Sequence, residues 1–112
     1  MAALSVTTPS RSGTANPGAA VAASDTVARG IMGSLGAILE IINGNASTDN
    51  VTISDASVTS TGGPAAAIAP AIPTAQNRVF TLRPDQCDPI TGNITITNSV
   101  TATVTYKLYP VG

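Results

Sequence analysis

The amino-acid sequence predicts an all-β fold, a small antiparallel β-sandwich or barrel-like domain with an extended N-terminal arm. The clearest evidence is the alternation of aliphatic residues with threonine between Asn93 and Tyr109. A period of two places alternate side chains on opposite faces of a strand. We therefore expect two strands of one sheet, with an apolar face that a second layer covers. The apolar residues on even positions are Ile94, Ile96, Ala102, Val104, Tyr106 and Leu108.

The length and composition indicate a single domain and restrict the classes of partner that it can bind. The chain has 112 residues, enough for one domain, and a formal net charge of −1. Binding to nucleic acid normally leaves a basic footprint, which this chain lacks. Only 10% of the residues are charged, which is easier to explain if other chains cover much of the surface. The first residues lack the basic and apolar regions of a signal peptide, so we expect folding in a cytoplasm.

We expect residues 1–26 to form the extended arm and residues 27–112 to form the β-sandwich domain. Within the arm, residues 4–7 have the pattern of a short strand, followed by proline, glycine and small residues. This composition buries too little apolar area to offset its ordering entropy. The arm is either a frayed terminus or a segment that orders against a neighbouring subunit. In the second case Leu4 and Val6 are its candidate partner contacts.

Residues 27–42 form the most apolar stretch. It is shorter than the roughly 20 residues that a membrane-spanning helix needs, and two charged residues interrupt it. Three glycines each cost a helix about 1 kcal/mol relative to alanine. We expect a bend through Gly36 and then a central strand over 37–43, with a helical turn near 27–35 as an alternative. The expected faces of the strand are Ile38 with Ile42, and Leu39 with Ile41.

Turn signals separate the remaining strands, and the count of six or seven short strands is typical of a small sandwich or barrel. Proline keeps the Ala/Pro-rich loop out of a central strand. Val51 and Ile53 share one face of their strand, and Phe80 and Leu82 share one face of theirs. Val58 extends or restarts the strand that contains Val51. The predicted elements are a turn at 43–45, a strand over 50–54, a long loop over 60–76, a strand over 78–82 that Pro84 ends, and an acidic turn over 84–92.

No set of residues predicts catalysis, a cofactor or a metal site, and we expect a protein that is not an enzyme. The chain has no histidine, so Ser-His-Asp and Cys-His arrangements are absent. The single cysteine, Cys87, excludes an internal disulfide, and the adjacent Asp88 disfavours its thiolate. Asp85 and Asp88 fall short of the six or so oxygen ligands that a hard cation takes.

Two arginines flank the strand that contains Phe80. Arg78 begins this strand and Arg83 follows it. They are either solvated charges at the strand ends or contacts for an acidic partner, since arginine is enriched at protein interfaces.

The second half of the chain resembles a known family of proteins. The similarity covers about residues 36–110 and lies in β-strand patterns: Ile41-Ile42-Asn43-Gly44, Val51-Thr52-Ile53, Arg78-Val79-Phe80-Thr81-Leu82-Arg83-Pro84, Thr91-Gly92-Asn93-Ile94-Thr95-Ile96 and a closing Thr-Val-Thr-Tyr-Lys-Leu strand. Together these patterns resemble the small head-decoration, or capsid cement, proteins of tailed bacteriophages, particularly those that infect actinobacteria. No functional residue transfers, because the shared pattern is a scaffold.

The resemblance implies a structural protein on the outside of an icosahedral capsid. Such proteins bridge neighbouring major capsid protein subunits, often as trimers, and stabilise the shell against the packaged DNA. The implied partners are the major capsid protein and further copies of this chain, with no nucleic acid and no membrane. The implied location is the capsid exterior, after synthesis in the host cytoplasm. The alternatives are a bacterial surface subunit and a carbohydrate-binding sandwich.

Overall fold

The computed structural model describes residues 2–56 and 69–112, which form two β-sheets packed face to face. Sheet A has the strand order β1-β3-β8-β5-β6, and sheet B has the order β2-β9-β4-β7. All neighbouring strands are antiparallel except β1 and β3. This architecture confirms the predicted all-β fold. The strands are β1 (Ala2–Ala3), β2 (Ala19–Ala20), β3 (Ser24–Ala28), β4 (Gly36–Asn43), β5 (Asp49–Ile53), β6 (Ala71–Ile72), β7 (Asn77–Leu82), β8 (Asn93–Asn98) and β9 (Val104–Val111).

The core consists of the inward-facing aliphatic side chains of both sheets. Burial alternates along β4, β5, β8 and β9, as expected for strands with one face in the core. Leu39 and Ile41 of β4 are buried while Ile38 and Ile42 are half-buried, so the predicted faces are confirmed. Burying one such aliphatic side chain completely contributes about 1.5–3 kcal/mol to folding.

The expectation that the two threonine-rich strands belong to one sheet is wrong. Strand β8 pairs with β3 and β5 in sheet A, whereas β9 pairs with β2 and β4 in sheet B. Their connection crosses from one sheet to the other, with Thr103 at a φ of 58° and Ala102 exposed. The alternation shows which face of each strand is buried. It does not show whether two consecutive strands lie side by side in one sheet or in opposite sheets, because a short connection allows both.

The first residues lie along one side of the sandwich. Ala2–Ala3 pair with β3, two residues before the strand expected over 4–7, and β2 pairs with β9. The backbone N–H of Leu4 continues the first contact by donating to the carbonyl of Thr26 at 2.8 Å. The predicted boundary at residue 26 falls inside β3 (Ser24–Ala28).

A bend precedes the central strand β4, as predicted. Its first part is a 3-10 turn at Arg29–Ile31, so the alternative of a helical turn near 27–35 is also realised. Gly36 then takes a φ of 112°. A Cβ atom on Gly36 would lie 1.9 Å from the carbonyl oxygen of Leu82, so no other residue fits here without a shift.

The chain turns after β4 around the side chain of Asn43, which is fully buried. Its Nδ2 donates to the carbonyls of Ser47 and Ile72, and its Oδ1 accepts from the N–H of Asn45, each at 2.9 Å. These bonds tie the predicted turn at 43–45 to β6 and satisfy a buried amide.

The predicted loop over 60–76 is described only from residue 69 onwards; its earlier part and Val58 lie outside the described residues. The described part contains β6, whose Ile72 is fully buried. Strand β6 pairs with β5 at the edge of sheet A, a position that fits the flanking prolines. No helix within 2–56 or 69–112 is long and apolar enough to cross a membrane.

Candidate interaction surface

The outer faces of the two sheets differ in chemistry. On sheet A the register places Thr26 opposite Thr95, and Thr97 opposite Thr52. On sheet B it places Ile38 between Thr81 and Tyr109. We call Thr26, Thr52, Thr95 and Thr97 the threonine face. We call Ile38, Ile42, Val79 and Tyr109 the apolar face; Thr81 and Thr105 lie beside them on the same side of sheet B.

The apolar face surrounds one pair of opposite charges. Glu40 lies between Val79 of β7 and Lys107 of β9 in the register, so acid and base are cross-strand neighbours. Such neighbours have Cβ atoms about 4.5–5.5 Å apart. Asn77 Nδ2 also donates to the Glu40 carboxylate. The side chain of Val79 is 61% exposed, although it is a large aliphatic residue. The face therefore combines apolar area with charges that already have neighbours.

Strand β7 ends sheet B, and among the described residues it pairs only with β4. The N–H of Asn43 donates to the carbonyl of Gln76 at 2.9 Å, which sets the phase of this antiparallel ladder. Bonded pairs alternate along such a ladder, so Arg78 and Phe80 direct their backbone groups towards β4. The alternate residues of β7 direct their backbone groups away from the sheet. We call these backbone groups, of Asn77, Val79 and Thr81, the open edge.

The structure places both predicted arginines at this strand. Arg78 lies on β7 and is exposed, with no ion-pair partner among the described residues. Arg83 follows the strand, and its Nε lies 3.3 Å from Asp85 Oδ1. Both side chains of that pair are more than 60% exposed, at 61% and 62%, so solvent screens the attraction. Among the described residues, Arg78 is thus the cation at the open edge that lacks an ion-pair partner.

Leu4 and Val6 lie on the opposite side of the sandwich from the open edge. Leu4 is only 7% exposed and belongs to the core of its own chain, and Val6 packs against that core. The structure therefore does not bring these two residues together with Arg78 and Arg83. In this state Leu4 already has an apolar partner.

Sequence reasoning missed the apolar face as a possible interface. A signal was present, because β4 carries aliphatic residues on both of its faces. A strand with one face in solvent usually alternates apolar and polar residues. Leu35 and Ile90 are two further exposed aliphatic residues, at 72% and 92%, both in turns.

The described residues offer little for catalysis or for binding a metal. They contain no pocket and no group of three residues able to hold a metal ion. Cys87 is buried, and burial raises the pKa of its thiol, which disfavours the reactive thiolate. Burial also raises the pKa of Asp49, although the N–H groups of Val100 and Ser99 act in the opposite direction. Asp49 Oδ1 accepts those N–H groups at 3.3 and 2.9 Å.

Comparison with protein-family models, with curated proteins and with solved structures finds no match to this chain. The function must then follow from the surface of the molecule. Within the part of the chain that the structure describes, that surface offers an open strand edge, an exposed arginine without an ion-pair partner on the same strand, and an apolar sheet face beside it.

Proposed function

We propose that this chain is a structural virion protein that decorates the outer surface of a phage capsid. It stabilises the shell by bridging subunits of the major capsid protein. The resemblance over about residues 36–110 supports this proposal. The structural observation that carries it is the open edge of β7 beside the apolar face, on a molecule whose other sheet face is covered by threonine.

Binding occurs by addition of a strand. An extended segment of the capsid protein lies along β7 and pairs with the backbone groups of the open edge. Its side chains alternate, so that one set extends the apolar face and the other lies near Arg78. An acidic residue in the second set would pair with the Arg78 guanidinium, which has no ion-pair partner among the described residues. The chemistry that fits is therefore an extended segment that carries β-branched and acidic side chains.

One edge of six residues gives a small contact, below the roughly 800 Å² per partner of a standard interface. Tight retention then depends on many contacts at once. A homotrimer on the shell, which the resemblance implies, lets weak single contacts sum. This arrangement also explains how such a small protein links neighbouring capsid subunits.

A carbohydrate-binding role fits the structure less well, because such sites usually present aromatic rings. Tyr106 is buried, and its hydroxyl accepts the N–H of Ser5 at 3.1 Å. Phe80 is half-buried on β7. Tyr109 is then the one ring on the apolar face, and a single ring is a poor platform for a sugar. A catalytic role is not proposed either.

The test is co-sedimentation of the purified protein with capsids that lack it. Arg78→Glu should weaken binding by about tenfold or more, because charge-assisted contacts are among the stronger ones. Arg11→Glu is the matched control, since Arg11 is exposed in the loop before β2. Equal capsid binding by the two variants would show that the charge of Arg78 has no part in the proposed interface.

A second variant tests the backbone contact. Val79→Pro removes an N–H that points away from β4, so an edge strand tolerates it. We expect the strand signal in circular dichroism to persist while capsid binding is lost. Full binding by a folded Val79→Pro variant would exclude strand addition at β7.

A further inference from the structure

Residues 2–7 cover the gap between the two sheets on the side opposite β7. Ala2–Ala3 pair with β3 of sheet A, while the N–H of Thr7 donates to the carbonyl of Leu108 in sheet B at 2.8 Å. Between these contacts the side chain of Leu4 enters the core. We call the gap between β3 and β9, into which this segment fits, the seam.

The segment is attached by few contacts. Of residues 3–7, Leu4 alone is buried, and the ladder with β3 is two residues long. The N–H of Ser5 adds one bond to the hydroxyl of Tyr106 at 3.1 Å. A segment held by one buried side chain, the half-buried Val6 and a few hydrogen bonds belongs to the less stable part of a fold.

A long exposed connection separates the segment from the next anchor, β2. Residues 8–18 include two prolines and two glycines, and most of them are exposed. Their hydrogen bonds join residues within the connection itself, such as Gly13 to Ser10 and Gly18 to Asn16. A flexible chain of this length has a root-mean-square span of roughly 20 Å. A seam on a neighbouring molecule at that distance is therefore within reach.

We propose that the seam of one copy takes up residues 2–7 of a second copy, so that the segments are exchanged between molecules. The occupant is identified by fit, since the seam is complementary to this segment in the structure itself. The same backbone pairs and the same buried leucine form within a chain and between chains, so exchange changes only where the connection leads. Exchange links copies of the chain to one another. It concerns this chain alone and holds whether or not a capsid is the partner.

The test uses two single-cysteine chains in a Cys87→Ala background. One carries Ala3→Cys and the other carries Thr26→Cys, at positions that are partners in the register of β1 and β3. After mixing and mild oxidation, a disulfide between positions 3 and 26 forms efficiently when a segment enters the seam of another copy. One chain carries an added tag, so that the mixed disulfide-linked dimer differs in mass from the two dimers of identical chains.

The matched control mixes Thr26→Cys with Thr95→Cys, which are partners in the β3–β8 ladder. That ladder lies within the sandwich and is not exchanged. We expect the 3–26 product to exceed the control product by about tenfold or more, because a docked segment holds its thiol at a millimolar effective concentration. Equal yields in the two mixtures would overturn the proposal.

A second comparison checks that docking produces the disulfide. Leu4→Asp in the Ala3→Cys chain should lower the yield to the control level, since a charge cannot enter the core without a partner. Ser5→Ala keeps its backbone N–H and should leave the yield unchanged. If Leu4→Asp leaves the yield intact, the disulfide reflects random encounters and the proposal fails.

Discussion

The two sheets bury the same kind of side chain, but they expose different ones. Inside, Ile94 and Ile96 of sheet A face the core together with Leu39 and Ile41 of sheet B. Outside, sheet A presents the threonine face, whereas sheet B presents the apolar face. Threonine has the branched Cβ that suits a strand and a hydroxyl that suits water. The difference is therefore one of outer chemistry, with hydroxyl groups on sheet A and aliphatic side chains on sheet B.

The largest effect expected is on the inner side of sheet A. Ile96→Ala should lower the free energy of unfolding by about 2–5 kcal/mol, because it leaves a cavity in the core. Thr95→Ala, one residue earlier on the threonine face, should change it by less than about 0.5 kcal/mol. Urea denaturation measures both. Comparable losses would mean that the outer face of sheet A is also packed against something.

The next effect separates the two outer faces. Replacing both Ile38 and Ile42 by threonine removes two of the four apolar residues from the outer face of sheet B. Capsid affinity should fall by about tenfold or more, which corresponds to about 1.4 kcal/mol, because apolar area at the contact is lost.

The reciprocal control is Thr95→Ile with Thr97→Ile, which adds apolar area to the threonine face and should add no affinity. Co-sedimentation measures both doubly substituted proteins. If the protein with threonine at positions 38 and 42 binds capsids as well as the original protein, the apolar face has no part in docking.

The smallest effect concerns the buried polar residues. Sheet A buries an acid, Asp49, where sheet B buries an amide, Asn43. The pKa of Asp49 is raised above its ordinary value of 3.8 by burial, so the folded protein holds this proton more tightly than the unfolded chain does. The resulting stability is present below that ordinary value and is lost as the pH rises through the folded pKa.

Asp49→Asn removes this titration, and its Oδ1 still accepts the N–H groups of Ser99 and Val100. Relative to the original protein, the variant should gain stability as the pH rises from 4 to 7. Thermal unfolding at several pH values measures the difference. A difference that does not vary with pH would show that Asp49 titrates alike in the folded and unfolded chains.

Much of the fold was predictable because alternation is a local property. The strand expected over 37–43 is Gly36–Asn43, that over 50–54 is Asp49–Ile53, and that over 78–82 is Asn77–Leu82. Strands β1, β2 and β6 have two residues each, too few for a period to be visible. They exist because longer strands offer them a free edge.

The candidate surface was predictable only in part. The position of Arg78 on a strand followed from the pattern around Phe80. That β7 has no second neighbour in the described part of the chain did not. Leu4 was expected to contact a partner, and the structure shows the seam of its own chain as one partner for it. An apolar residue in an extended segment predicts burial without saying which molecule provides the core.

The sequence by itself determined which face of each long strand is buried, because the period of two is a property of one strand and its solvent. Only the tertiary structure decided that β8 and β9 enter opposite sheets, that β7 lies at an edge, and that residues 2–7 fill the seam. The physical reason is that strands pair through backbone N–H and C=O groups, which are the same at nearly every residue.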